Sequence, residues 1–325
     1  MHQKHILWVY VAAACLASAE PAKAQGSIAF FINDPNDYDY GLQLAIPPAF
    51  GAGELTFELW IRPDDSFPFG PTASGVDQRT NWSDADNEPY SSGSWWFEGN
   101  FLLDGHNNAN FQDGTFSLQL YGSGRVRWLF GDGESAGPGG HWSVGAFPAT
   151  NGPSVVDGAW HQVTLVRRWT GASDAQLELW IDGSLIATET SPARTDLRFW
   201  WDAWSGFPAD QEGWFWGAEK QAAVGVLDQY EDYKGLVDEV RFWSRAKTAQ
   251  EITDTWAEPV SGSEPGLVGW FRFAEGAGST SCSEITATDC IDFVNTQPGF
   301  WSAEEAPLGS LIFADGFESG DLTAW

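Results

Sequence analysis

Residues 233–252 read YKGLVDEVRFWSRAKTAQEI. The first part alternates as a strand over 233–245, with Leu236, Asp238 and Val240 on one face and Val237 and Glu239 on the other. The second part starts a helix. Thr248 and Glu251 have capping-box spacing, and Ile252 and Trp256 lie four apart on one helical face. A carboxylate on an apolar face, as Asp238 would be, needs a partner; a cation or the surroundings of Arg241 would supply one.

Working outward, ELTFELWIR at 54–62 puts Leu55, Phe57, Leu59 and Ile61 on one side and Thr56, Glu58, Trp60 and Arg62 on the other. Two short strands are expected within 26–46. More are expected over 95–103, 115–120, 125–130, 160–168, 176–181, 185–189 and 267–273, with Asp182-Gly183 as a hairpin turn. Long polar segments at 63–94 and 131–153 read as insertions, and loops of that length in a compact domain have a function or are mobile. Residues 274–310 read as polar loop. About a dozen short strands with one helix and no strand–helix alternation predict an all-β sandwich rather than a parallel sheet.

The N-terminus has the form of a secretory signal. MHQKH is basic, Ile6 to Ala19 is apolar, and Ala22-Lys23-Ala24 is a small-x-small cleavage pattern before Gln25. The expected organisation is a signal peptide at 1–24, one domain at 25–305 and a tail at 306–325. The apolar run is too short for a transmembrane segment. Cys15 leaves with the signal, so Cys282 and Cys290 remain as an even pair suited to a disulfide in an exported protein. The net charge of −29 opposes nucleic acid and anionic membranes as partners and suits cation binding.

Several of these segments together resemble the laminin-G-like, concanavalin A-like lectin/glucanase domains, especially the bacterial type related to pentraxins. FINDPNDYDYG at 31–41 is similar to that family's opening segment, with Asn33 in place of the usual Asp. LTFELWIRPD at 55–64, DGAWHQVTLVR at 157–167 and LELWIDGSLIAT at 177–188 resemble its central strands. The 233–252 stretch resembles its most specific signature, and LVGWFRFAEGAG at 267–278 its edge segment. The resemblance implies a concanavalin A-like jelly-roll sandwich of two antiparallel sheets with one short helix. LIFADGFESGDLTAW at 311–325 resembles a C-terminal segment of exported proteobacterial proteins. A bacterial protein that is secreted, periplasmic or on the cell surface is therefore expected.

Several family members hold calcium, which needs six to eight oxygen ligands. Candidate ligands are Asp34, Asp37, Asp238 and Glu239. A second acidic loop, DGHNNANFQDG at 104–114, lacks the final Glu of an EF-hand. Sugars stack their CH faces on aromatic rings. Trp200, Trp201, Trp204, Trp214 and Trp216 form one dense cluster, and Trp82, Trp95 and Trp96 flank the first insertion. Trp60, Trp160, Trp180 and Trp243 lie in strand segments and are assigned to packing. No paired-carboxylate run of a glucanase is present, and no Gly-x-Ser-x-Gly partners His106, His141 or His161. No catalytic residue is assigned, and His161 is assigned a hydrogen-bonding structural role. The expected function is non-catalytic recognition of a glycan or surface protein, with calcium support. A structural or adhesive protein–protein domain is the alternative class, and a polysaccharide-degrading hydrolase or lyase the second.

Overall fold

A computed structural model describes residues 26–30, 41–44, 50, 53–65, 100–104, 113–120, 124–132, 141–145, 152–171, 174–191, 214–216, 219–221, 226–228, 233–294 and 301–309. In chain order the strands are β1 (Ser27–Phe30), β2 (Gly41–Leu44), β3 (Leu55–Pro63), β4 (Asn100–Asp104), β5 (Asp113–Leu120), β6 (Val126–Asp132), β7 (His141–Gly145), β8 (His161–Trp169) and β9 (Ala175–Ile181). They continue with β10 (Ser184–Ser191), β11 (Trp214–Trp216), β12 (Glu219–Gln221), β13 (Val226–Asp228), β14 (Gly235–Trp243), β15 (Leu267–Phe271), β16 (Thr280–Cys282), β17 (Cys290–Val294) and β18 (Trp301–Ser302). One helix, α1 (Ala249–Thr255), follows β14.

Two eight-stranded antiparallel sheets hold most of these strands. Sheet A runs β10-β9-β8-β3-β14-β1-β18, with β15 also paired to β14. Sheet B runs β16-β17-β2-β11-β4-β5-β6-β7, and β12 and β13 form a separate pair. Meanders β8–β10 and β4–β7 are local. The central partners of β3 and β14 come from distant segments, because the chain repeatedly crosses from one sheet to the other. That is a jelly-roll sandwich, in which alternating strands bury one face each.

The core follows the alternation. Leu55, Phe57, Leu59 and Ile61 of β3 meet Val163, Leu165, Leu177 and Leu179 from sheet A and Phe116, Leu118, Leu120, Val126 and Trp128 from sheet B. Phe57 spans the two layers, with its ring 5.8 Å from Phe116 and 5.0 Å from Phe242. Both faces of β3 are nonetheless buried, since Thr56, Glu58 and Trp60 are covered from outside. The cover is α1 together with residues 256–258 and 305–308. Trp60 stacks on Trp256 at 5.7 Å and clusters with Ala257 and Ala306.

The helix starts where its capping box predicts. Glu251 N donates to Thr248 Oγ1 at 3.2 Å, and Thr248 N donates to Glu251 Oε2 at 2.7 Å. Seven residues are too few for a stable helix in water, so packing holds it. Ile252 is its buried residue and packs on Val166 and Trp180 of sheet A. Gly183, at φ +71, allows the β9–β10 turn to approach; a Cβ there would lie 2.4 Å from Trp256.

Some local expectations are corrected. Residues 274–310 are not all loop: β16 and β17 form a hairpin and β18 adds an edge to sheet A. β7 lies inside the 131–153 segment. These strands are two to five residues long, so each offers too few positions for alternation to mark it in the sequence.

Candidate functional site

The outer face of sheet A is charged and sealed. Glu58 is buried and accepts from Lys247 Nζ at 2.5 Å and from Trp243 Nε1 at 2.9 Å. The Lys247 ammonium also sits 4.8 Å from the Trp243 ring centroid and donates to Thr255 Oγ1 at 3.2 Å. Its backbone N–H donates to Thr56 Oγ1, which donates in turn to Arg245 O. Nearby, Glu178 accepts from Arg168 Nε and from Trp180 Nε1, each at 3.0 Å. Every charge there meets an opposite charge or a donor, as burial requires.

Asp238 and Glu239 belong to this face. Along β14, Asp238 opposes Trp60 and Arg241 opposes Glu58, so Glu239 and Val240 together oppose one residue of β3. This is a β-bulge, and Glu239 takes φ +50. The bulge corrects the alternation expected from the sequence. Val237, Val240 and Phe242 all join the core, and Asp238 does not share a face with Val240. Asp238 instead accepts from Glu239 N at 2.7 Å and Ala306 N at 2.8 Å. Burial pushes its carboxyl well above the ordinary range against those two hydrogen bonds, and the neighbouring charges of Glu239 and Glu305 push the same way. Glu239 Oε2 accepts from Arg241 Nη2 at 2.9 Å and Trp270 Nε1 at 2.8 Å, and Arg272 lies 3.5 Å from Oε1. Both carboxylates thus serve N–H donors, the Arg241 guanidinium among them, and Glu239 also faces the Arg272 guanidinium as an ion pair. A calcium site needs converging oxygens without cations beside them. Among the described residues no group of three or more His, Cys, Asp or Glu side chains converges as a metal site. Asp34 and Asp37 lie outside the described residues.

Sheet B has a different outer face. Phe116, Leu118, Leu120, Val126 and Trp128 point into the core, so Ser117, Gln119 and Arg127 alternate to the other side. All three are buried, and Ser117 Oγ has no hydrogen-bond partner. Gln119 and Arg127 are register partners. β11 is placed centrally in this sheet between β2 and β4. Trp216 shares a cross-strand row with Leu103, Leu118 and Trp128, Trp214 one with Leu44 and Ile291, and Phe215 one with Asp104 and Ser117. Trp82, Trp95, Trp96, Trp200, Trp201 and Trp204 lie outside the described residues. Trp60, Trp180 and Trp243 are buried, as their strand positions predict.

Cys282 and Cys290 form a disulfide, with S–S 2.04 Å, between directly paired positions of β16 and β17. The sequence reading missed Lys247 and the Arg168–Glu178 pair. Glu58 was the available signal, a carboxylate between strongly apolar neighbours on a strand with two hydrophobic faces.

A two-sheet jelly roll with one helix after its signature strand defines a class of recognition and glycan-active domains. The family model of the concanavalin A-like lectin/glucanases superfamily matches residues 89–253, and the chain belongs to that superfamily as a laminin-G-like member. A candidate carbohydrate-binding protein of Bacteroides ovatus is similar in structure at 14% identity and TM-score 0.47, over 85% of this chain and 60% of that one. The heptameric SAP-like pentraxin of Limulus polyphemus is similar at 13% identity and TM-score 0.44, over 84% and 96%. The CBM40 of the Ruminococcus gnavus IT-sialidase, bound to α2,3-sialyllactose, is similar at 14% identity and TM-score 0.41, over 71% and 97%. No curated protein matches the chain. Among the described residues no helix is long and apolar enough to cross a membrane.

Proposed function

We propose that this protein is an exported, non-catalytic recognition module that binds a glycan on the sheet B side of the sandwich, with calcium as structural support. The observation that carries the reading is the placement of β11, part of the tryptophan-rich segment, centrally in sheet B between β2 and β4. Sheet A's charged groups are used up beneath α1 and residues 305–308. On sheet B, Phe215 of β11 shares a cross-strand row with Asp104 and Ser117. A sugar needs aromatic rings for its CH face, with donors and acceptors nearby for its hydroxyls. Membership of a superfamily that contains lectins supports the same reading.

In this proposal Trp200, Trp201 and Trp204, with Trp82, Trp95 and Trp96, supply the aromatic platform; Trp214 and Trp216 are left out of it, because they share cross-strand rows with the core residues Ile291 and Leu118. Calcium rests on Asp34 and Asp37; Asp238 and Glu239 would have to give up their N–H donors to join them. Export rests on the N-terminal signal pattern. A glycan-array screen of the processed chain, run with calcium and with EDTA, tests the reading. Binding to a defined sugar class that weakens in EDTA is the expected result. Silence in both conditions, together with capture of a surface protein, would replace it with the adhesive alternative. Release of shortened glycan would replace it with the enzymatic one.

A further inference from the structure

His161 opens β8, and its ring lies between two loops. Nδ1 is 2.8 Å from Asp182 Oδ2, and Nε2 is 3.1 Å from Asp157 Oδ1. Asp182 belongs to the β9–β10 turn, at φ +49. Its Oδ1 accepts from Gln162 N at 2.8 Å and its own N–H donates to Gln162 O at 2.9 Å, so its carboxylate is fixed against β8. Asp157 lies in the connection 152–160, where Oδ1 also accepts from Ala159 N at 2.9 Å.

A carboxylate only accepts, and a neutral imidazole donates from one nitrogen only. With a carboxylate oxygen at each ring nitrogen, both contacts are hydrogen bonds only when the ring carries two protons. In the neutral ring one lone pair would face an anion. Among the described residues no other cation pairs with Asp157 or Asp182, and the Asp65 carboxylate is a further charged group packed on the same connection, against Gly158. Across β3 the register partner of His161 is the apolar Ile61, and the adjacent Arg62 lies over Trp160 and pairs with Glu304. The turn beyond Asp182 is tied to α1 through Thr253 Oγ1, which donates to Gly183 O at 3.2 Å.

The connection that His161 holds also bridges the two sheets. Val155 N donates to Gly124 O at 2.8 Å, Arg125 Nε donates to Gly152 O at 3.0 Å, and Val155 enters the core. We propose that His161 is an imidazolium clasp that fastens the sheet-bridging connection 152–160 to the β9–β10 turn, and that loss of its proton releases this end of the sandwich.

The direction of titration agrees. Burial by itself lowers the basicity of the ring; the hydrogen bonds to Asp182 and then Asp157, with their charges, outweigh it and hold the group above its ordinary value. The folded value is raised, so the clasp's contribution is fully present below the unfolded value of about 6.5 and is lost as pH rises through the folded one. The window therefore lies on the alkaline side of about pH 6.5.

The test is a side-chain NMR titration of the histidines in the full chain, with the His161 signal assigned by its loss in His161→Gln. The expected midpoint lies above about 6.5, falls in Asp157→Asn, and coincides with lost hydrogen-exchange protection at the Ala159 and Gln162 amides after correction for intrinsic rates. A midpoint at or below the ordinary value, or one that Asp157→Asn leaves in place, overturns the clasp. Should His161→Gln fail to fold, the wild-type and Asp157→Asn titrations decide the matter between them, with the signal then assigned by through-bond connectivity. A purely structural histidine would lose stability on substitution and show neither the midpoint nor its response to Asp157.

Discussion

The outer faces of the two sheets both bury polar side chains, yet sheet A carries close ion pairs and sheet B a row of a hydroxyl, an amide and a guanidinium. On sheet A, Glu58 meets Lys247, Glu178 meets Arg168, and Glu239 meets Arg241 and Arg272, each pair closed by an indole N–H. These groups answer one another; Glu58 and Lys247 are buried beside α1, while Arg168 and Arg272 keep part of their side chains exposed. On sheet B the polar row is Ser117, Gln119 and Arg127, all buried; Ser117 Oγ there, like Trp60 Nε1 and Gln162 Nε2 on sheet A, has no hydrogen-bond partner. A face whose charges are mutually satisfied has little left for a ligand, because a ligand would have to outcompete contacts already made at short range. The lesson is that charge density alone does not locate a binding site. The buried Glu58–Lys247 pair marks the seam that fastens the helix.

Substitutions can break this contrast, and the largest effect belongs to the sealed face. Glu58→Ala leaves the Lys247 ammonium buried without its carboxylate and should cost about 3–5 kcal/mol in urea unfolding. The paired change Glu58→Leu with Lys247→Met should cost much less than the two single changes added together, because it removes both charges. Equal losses for the pair and the sum would show that the charges are not coupled.

The disulfide is next. Replacing Cys282 and Cys290 by Ala opens a short loop in the outermost hairpin of sheet B and should cost about 2.5 kcal/mol by chain entropy. On the proposed ligand side, Trp201→Ala should weaken glycan binding about tenfold, or about 1.4 kcal/mol, while the urea midpoint stays in place. A midpoint that falls with it would assign that ring to packing. Thr248→Ala should cost about 1 kcal/mol through the lost cap, read as a lower urea midpoint.

The smallest effect is a pH dependence. Hydrogen bonding from Arg245, with the Thr248 amide behind it, holds the Glu251 carboxyl down at about 2 from an ordinary 4.5. Its folded value is depressed, so its contribution is present above the ordinary value and lost as pH falls through about 2. Wild type should lose stability over that acid range more steeply than Glu251→Gln, as urea midpoints at several pH values would record.

By itself the sequence determined what depends on neighbours along the chain. The alternation of Leu55 to Arg62, the Asp182-Gly183 turn, the Thr248–Glu251 capping box and the Cys282–Cys290 pair each have a short-range cause, and each is found in place. Their order was enough to reach the jelly-roll family. The tertiary structure decided what depends on contacts between distant segments. A one-residue bulge at Glu239 moved Val240 into the core and left Asp238 facing the segment around Ala306. Lys247 became the counter-ion of Glu58, 189 residues away. His161 came to lie between carboxylates at Asp157 and Asp182. Strand periodicity records which way a side chain points, and it carries no information about what will be folded over it.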